Sequence, residues 1–175
     1  MSAQNYTFVA KIANLMAKKI EKTNAARLLD RAKIAYDLVP YEVDENDLAA
    51  THVAATLGEP IERVYKTLVL RGDRNGHFVC VVQGDKEVDL KAAAKVSGNK
   101  SANLIPMKEL LPTTGYIRGG CTPIGMKKRF PTFIDESVLL FDYIYISAGQ
   151  RGLQLRLNPQ DLIPFVGAEV APLVL

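Results

Sequence analysis

The chain has 175 residues, 48% of them hydrophobic and 23% charged, and carries a net charge of +3. This size suits one domain with its own core, and the mild basicity permits contact with a phosphate backbone without requiring it. Cys80 and Cys121 cannot form a disulfide framework, His52 and His77 lack metal-ligand spacing, and no apolar run reaches the roughly 18 residues of a membrane span. We therefore expect a reduced, cytoplasmic protein with no metal, no cofactor and no membrane contact.

The first 20 residues form a segment without acidic side chains. Their apolar residues approximate one helical face: Phe8, Val9, Ile12, Leu15, Met16 and Ile20. Lys11 interrupts that face, so the segment makes a poor secretory signal. Three interpretations stay open: an organelle-targeting helix, a loosely attached helix, or an extension before a natural start at Met16. We assign residues 1–21 to an N-terminal extension and residues 22–175 to the folded domain.

Capping and turn residues predict the elements of the first half. Thr23 is a typical helix N-cap, and Gly58 is a typical helix end. The predicted elements are a helix over residues 23–32, an extended segment over 37–43, a helix over 47–57, and strands over 64–70 and 77–82. The pair Asn75-Gly76 between the two strands is typical of a β-hairpin turn.

The second half alternates short helices and strands without regular βαβ order. We predict helices over residues 90–96, 106–111 and 159–166, strands over 132–135, 143–147 and 153–157, and a strand after Gly167. This pattern indicates a single α+β domain with a curled, barrel-like sheet, mixed or largely antiparallel, and short helices packed around it.

A glycine-rich loop runs from residue 118 to residue 129. The spacing of Gly120 and Gly125 resembles a phosphate-binding loop, yet Met126 stands where that motif needs lysine and Pro123 removes a backbone donor. We therefore reject that interpretation. The loop remains either a structural turn or a turn whose Gly119 and Gly120 amides face a bound oxygen.

Lys66 is the most informative residue outside that loop. Strand alternation places it on one face with Leu68 and Leu70, and the opposite face is also apolar. A buried ammonium group is costly unless it is paired or functional. The lysine is therefore either functional or close enough to the strand end to reach solvent.

Other side chains give weaker indications. Cys121 has no recognisable base, so an inert thiol is favoured over a nucleophile. Ser147 precedes a glycine turn but lacks a nucleophile elbow. The cations Lys127, Lys128 and Arg129 can hold a phosphate or simply be solvated. The residues thus describe a pocket with a lysine, backbone donors and a cationic rim, without a convincing protein nucleophile.

Four segments in register, over residues 22–29, 65–68, 116–129 and 147–153, resemble the YbaK/EbsC family. Its members include bacterial cysteinyl-tRNA deacylases related to the editing domain of prolyl-tRNA synthetase. The resemblance implies that editing-domain fold, hydrolysis of Cys-tRNA(Pro) and of Cys-tRNA(Cys), and no cofactor. It implies as partners the aminoacylated tRNA 3′ end and prolyl-tRNA synthetase.

The resemblance also implies roles for individual residues. Lys66 would be the essential lysine near the ester, and Gly119 and Gly120 would seat the aminoacyl group. The implied pocket residues are Tyr41, Thr67, Pro123, Ser147 and Gly149, with Lys127, Lys128 and Arg129 as tRNA contacts. Leu48-Ala49-Ala50 stands where relatives carry a phenylalanine, which leaves the amino-acid preference open.

The implied mechanism needs no protein nucleophile. The substrate's own thiol attacks its ester and releases free tRNA and a cyclic thiolactone. Such intramolecular reactions reach effective molarities of about 10⁵–10⁸ M. Two alternatives remain: a water-dependent deacylase of Ala-tRNA or another misacylated tRNA, and a non-catalytic module that binds tRNA or a synthetase.

Overall fold

The computed structural model describes residues 20–175, so the expectations for residues 1–19 lie outside the described chain. The α-helices are α1 (Asn24–Arg31), α2 (Ala50–Leu57), α3 (Leu90–Val96), α4 (Met107–Thr114) and α5 (Pro159–Val166). Short 3₁₀ turns cover Ile61–Arg63 and Glu136–Leu140. The strands are β1 (Tyr36–Pro40), β2 (Tyr65–Gly72), β3 (Gly76–Gln83), β4 (Ala102–Leu104), β5 (Thr132–Asp135), β6 (Ile144–Ser147), β7 (Leu153–Leu157) and β8 (Glu169–Ala171).

The strands form two sheets rather than one. The larger sheet has the order β4-β2-β3-β5-β8 and the smaller one β1-β7-β6. The pairs β3–β5 and β5–β8 are parallel, and the other four are antiparallel. A bridge between Val64 and Tyr145 links the sheets. The α+β class and the mixed sheet are confirmed, and closure into a barrel stays a prediction.

Local side-chain hydrogen bonds set the helix ends. Thr23 Oγ1 accepts a bond from the Ala26 amide at 3.2 Å and caps α1 as predicted. Helix α2 ends at Gly58 with φ 69° but begins at Ala50, three residues later than predicted. Asp47 Oδ1 instead accepts from the Ala49 amide at 3.3 Å, which favours a turn over a helix before Ala50.

The β2–β3 hairpin separates two hydrophobic clusters. Tyr65 and Val69 pack into the cluster between the sheets, and Leu70 packs into the second cluster beneath α3, with Leu68 against it. The predicted alternation is therefore confirmed for these four residues, whereas Val64 packs in a third cluster with Tyr41 and Tyr145. Lys66 is the second residue of β2 and is only partly buried, so it lies close to the strand end.

Candidate functional site

A cavity of about 400 Å³ opens beside the start of β2. Five parts of the chain form its wall: β2 with Gly84, the start of α2, the β4–α4 segment, the glycine loop, and the β6–β7 pair. The polar and charged residues of the wall are Lys66, Thr67, Arg118, Ser147 and Gln154. The fold thus brings together residues that are 88 positions apart in sequence, from 66 to 154.

Lys66 extends into this cavity from β2. Its side chain is half-buried, and Nζ donates a hydrogen bond to the Gly84 carbonyl at 3.2 Å. Burial lowers the pKa of Lys66 below its ordinary value, and the negative charges of Asp85 and Glu87 oppose that shift. An ammonium group has three N–H donors, so two remain available to a ligand.

Two buried oxygen atoms on the wall lack a hydrogen-bond partner within residues 20–175. They are Thr67 Oγ1 and Gln154 Oε1. Gln154 is only 5% exposed, and buried polar atoms are normally paired with protein or water. Because both atoms are also buried, neither contacts a molecule in the cavity until its side chain rotates.

The glycine loop packs closely against the turn that follows β6. A side chain at Gly120 would lie 3.0 Å from the Gln150 Cα, and Arg151 Nε donates to the Arg118 carbonyl at 2.9 Å. The Gly120 amide donates to the Ile117 carbonyl at 3.0 Å, so its hydrogen is used inside the loop. Gly119 has φ 84° and lies on the cavity wall, and its amide has no acceptor within residues 20–175.

Cys121 also lies on the wall but is only 9% exposed. Burial raises the pKa of its thiol to about 12, so the thiol stays protonated near neutral pH. A thiolate is the nucleophilic form, and no side chain in the described chain generates one here. The structure therefore supports the inert-thiol interpretation.

The rest of the wall is apolar. Leu48, Ala49 and Ala50 line it at the start of α2, and Leu104 and Met107 form an exposed rim on the other side. The segment Leu48-Ala49-Ala50 therefore faces the cavity. A small apolar group fits best against these two alanines.

Several residues expected in the pocket lie outside its wall. Tyr41 is buried in a third cluster with Val64 and Tyr145. Gly149 lies behind Ser147 and donates its amide hydrogen to Ser147 Oγ at 3.2 Å. The residues Pro123, Lys127, Lys128 and Arg129 are also absent from the wall, and the three cations are exposed.

Sequence reasoning missed two polar wall residues. Arg118 marks only the start of the loop in the sequence, although it is exposed, lines the cavity and takes part in no ion pair found among residues 20–175. Gln154 has the pattern of an ordinary strand residue. Gln154 could have been found from its position opposite Ser147, but only if the register between β6 and β7 had been known.

Neither a metal centre nor a membrane span is found in the described part of the chain. No group of three His, Cys, Asp or Glu side chains is placed to hold a metal ion among residues 20–175. Over the same residues, no helix has the length and apolarity to cross a membrane.

The fold and the cavity together define the class of protein. It is a single α+β domain whose pocket wall contains Lys66, the unpaired amide of Gly119 and the unpaired side-chain oxygens of Thr67 and Gln154. Residues 45–165 match the family model for the aminoacyl-tRNA editing domain. The chain belongs to this family, which confirms the resemblance found in the sequence.

Individual relatives agree with this assignment. The chain is 44% identical over 158 residues to a candidate Cys-tRNA(Pro)/Cys-tRNA(Cys) deacylase, EbsC, of Enterococcus faecalis, covering 89% of this chain and 96% of that one. It is 32% identical to a proline–tRNA ligase of Cupriavidus necator over 70% of this chain and 22% of that longer enzyme. A solved structure described as a candidate trans-editing enzyme for prolyl-tRNA synthetase shares the fold, with a TM-score of 0.74, 23% identity, and coverage of 89% of this chain and 99% of that one.

Proposed function

We propose that this protein deacylates cysteinyl-tRNA, with the misacylated Cys-tRNA(Pro) as the main substrate and the correctly charged Cys-tRNA(Cys) as a second one. The observation that carries the proposal is the Lys66 ammonium inside a cavity whose wall has no activated nucleophile. The 44% identity to the candidate cysteinyl-tRNA deacylase supports cysteine as the amino acid. The relationship to proline–tRNA ligases supports tRNA(Pro).

The size and polarity of the cavity suit an aminoacyl group. A volume of about 400 Å³ holds an amino acid and part of a ribose. The apolar side at Ala49 and Ala50 receives the short side chain. Rotation of the Thr67 and Gln154 side chains toward the cavity would let their buried oxygens accept hydrogen bonds from the α-ammonium of the substrate, which would otherwise be buried without partners.

The substrate's thiol supplies the nucleophile. Its thiolate sulfur attacks the ester carbonyl carbon and forms a sulfur–carbon bond. The bond from that carbon to the ribose oxygen then breaks. The ribose oxygen takes up a proton, and the products are free tRNA and a four-membered thiolactone that water opens to cysteine. Because the reacting atoms belong to one small molecule, the protein needs only to orient them.

Lys66 and Gly119 stabilise the charge that develops during this step. The two free N–H donors of the Lys66 ammonium favour the thiolate and then the oxyanion. The Gly119 amide is a second donor for the oxyanion, and Gly120 fixes the loop that presents it. Ser147 would support this arrangement on the wall itself, and Pro123, Gly149 and Tyr41 from outside the wall.

We further infer that prolyl-tRNA synthetase supplies most of the tRNA affinity, in the cytoplasm where tRNA is charged. A net charge of +3 neutralises few phosphates, so strong stand-alone binding is not expected. The cations Lys127, Lys128 and Arg129 would add a limited contact beside the pocket.

The test is a deacylation assay with cysteinyl-, alanyl- and seryl-tRNA, each with and without prolyl-tRNA synthetase. We expect rapid release from cysteinyl-tRNA, with a lower KM when the synthetase is present. Equal rates on alanyl-tRNA would contradict the thiol-assisted route and indicate attack by water. Binding without turnover on all three substrates would identify a non-catalytic module.

A further inference from the structure

Gly84 occupies a position with no space for a side chain. It follows the last residue of β3, and its amide donates to the Val64 carbonyl at 2.8 Å. A Cβ atom built on Gly84 would lie 2.3 Å from the Ala50 Cβ, 3.2 Å from the Val64 oxygen and 3.3 Å from Ile61 Cδ1. The need for glycine here comes from close approach, since Gly84 is not among the residues with positive φ.

This close approach joins two walls of the cavity. Ala50 is the first residue of α2, and both Ala50 and Gly84 line the cavity. Contact between them holds the start of α2 directly against the end of the β2–β3 hairpin. The distance across this contact therefore fixes how far Leu48 and Ala49 stand from β2.

The same glycine also holds the lysine. Its carbonyl is the one acceptor of the Lys66 ammonium among residues 20–175, at 3.2 Å. Register places Val82 opposite Lys66, so the side chain leans along the hairpin to reach residue 84. A single anchor on a four-carbon side chain decides where its two remaining donors point.

We propose that Gly84 is a positioning residue of the site, which aims Lys66 through its carbonyl and sets the pocket width through its contact with Ala50. This inference rests on the proposed function for the role of Lys66 in the chemistry. Glycine has no side chain, and neither the residue type nor the position of Gly84 after β3 indicates that it positions the site.

The test compares Gly84→Ala with a matched control at the other end of the same hairpin. Gly72 is equally crowded, because a Cβ atom there would lie 2.1 Å from Asn99 Cγ, but it is not part of the cavity wall. We expect both variants to lower the Tm. We expect Gly84→Ala alone to lower kcat/KM on cysteinyl-tRNA, by ~100-fold, since a 1 Å misplacement costs that order.

A second variant relieves the clash directly. Gly84→Ala/Ala50→Gly removes the methyl group that the new Cβ atom at position 84 would meet, and we expect recovery of at least tenfold of the lost kcat/KM. The control Gly72→Ala/Ala50→Gly measures what the loss of the Ala50 methyl group costs by itself, and the recovery is judged against that value. A double variant at residues 84 and 50 that is no more active than Gly84→Ala would overturn the proposal.

A measurement without tRNA separates this inference from the proposed function. The ionisation of Lys66, followed by ¹³Cε NMR of lysine-labelled protein, reports the charged groups around it, which are Asp85, Glu87 and the cavity cation Arg118. Moving the carbonyl removes a stabilising bond to the ammonium, so the Lys66 pKa should fall in Gly84→Ala and stay constant in Gly72→Ala. An unchanged Lys66 pKa in Gly84→Ala would refute the positioning role. If the wild-type protein did not deacylate cysteinyl-tRNA but the Lys66 pKa fell in Gly84→Ala as expected, only the proposed deacylase function would be refuted.

Discussion

Ser147 and Gln154 are register partners on β6 and β7, and both side chains lie on the cavity wall. Opposed residues in an antiparallel pair project to the same face of the sheet. The Ser147 hydroxyl already accepts from the Gly149 amide at 3.2 Å, whereas Gln154 Oε1 has no partner in the described chain. The serine hydroxyl is thus engaged within its own turn, whereas the glutamine oxygen is buried and unpaired and can meet a ligand only after its side chain rotates.

Replacing Gln154 should lower the activity of the protein without lowering its stability. A buried polar atom without a partner costs about 1–3 kcal/mol, so Gln154→Leu should leave the free energy of unfolding unchanged or raise it. Loss of the acceptor for the substrate ammonium should lower kcat/KM at least tenfold. Urea denaturation and deacylation kinetics measure the two effects.

Gln83 provides the matched control for that experiment. It is similarly buried, but its Nε2 donates to the Glu62 carbonyl at 3.0 Å and it is not on the cavity wall. Gln83→Leu should therefore reduce stability by about 1 kcal/mol and keep kcat/KM. If Gln154→Leu behaved like Gln83→Leu, the proposed ammonium contact would be wrong.

A second prediction concerns the cysteine of the pocket. Cys121→Ala should keep kcat/KM, because burial raises the pKa of this thiol to about 12 and the substrate supplies the reactive sulfur. Cys80, which is buried away from the cavity, also has its pKa raised to about 12 and is the control. Each substitution should cost about 1 kcal/mol of stability. Loss of turnover in Cys121→Ala alone would exclude the thiol-assisted route.

Substitution of Lys66, unlike that of Cys121, should lower turnover in the same deacylation assay. Lys66→Ala removes the donor that we propose for the developing oxyanion, and losses of this kind are about 10²–10³ in kcat. Lys66→Met should not lower the Tm, because it removes a half-buried charge that desolvation disfavours. A kcat for Lys66→Ala equal to that of wild type would refute its role.

The contribution of the sequence is clearest in β2. Strict alternation places Lys66 with Leu68 and Leu70, and the structure confirms the two packed faces. Such patterns are local, because neighbouring side chains on a strand must point to opposite sides. The hairpin turn at Asn75-Gly76 is equally local, which is why the β2–β3 pairing could be predicted.

The parts that could not be predicted depend on distant contacts. The parallel pairing of β3 with β5 joins Val79 to Thr132, which are far apart in the chain, and no turn signal records it. The 3-residue strand β4 follows from its partner β2 rather than from its own composition. Gln154 was missed for the same reason, since only the fold shows which side of β7 faces the cavity.

A fourth prediction follows from the shifted pKa of Lys66. The ammonium must be charged to act, so activity should fall as the pH rises through the Lys66 pKa. Burial lowers this pKa, which places the falling limb below the value of about 10.4 for a free lysine. Lys66→Arg should move that limb upward, because arginine stays charged above about pH 12. A falling limb at the same pH in both proteins would assign it to another group.

The same shift has a consequence for stability. The folded-state pKa of Lys66 lies below its unfolded value, so the unfolded chain binds more protons between the two values. Burial of the charge therefore opposes folding below the folded-state pKa, and this cost disappears as the pH rises to the unfolded value. The stability of wild type minus that of Lys66→Met should increase with pH across this window. A difference that decreased with pH would reverse the assigned direction.

The last prediction concerns the cations at the end of the glycine loop. Lys127, Lys128 and Arg129 are exposed and outside the cavity wall, and Lys127 Nζ lies 3.5 Å from the Pro112 carbonyl. Replacing all three with alanine should raise KM for tRNA and leave kcat unchanged, because they meet phosphates rather than the ester. Each lost phosphate contact should reduce the slope of log KM against log salt by about 0.7–0.9.

The control for this variant removes three exposed cations from another surface. Lys91, Lys95 and Lys100 lie on and after α3, and none of them lines the cavity. Their replacement changes the net charge by the same amount, so it reports the effect of overall charge on the association with tRNA. If both triple variants raise KM equally, the loop cations act only through net charge and contact no specific phosphate. If the loop variant raises KM further and lowers the salt slope, the tRNA 3′ end crosses this loop on its way to Lys66.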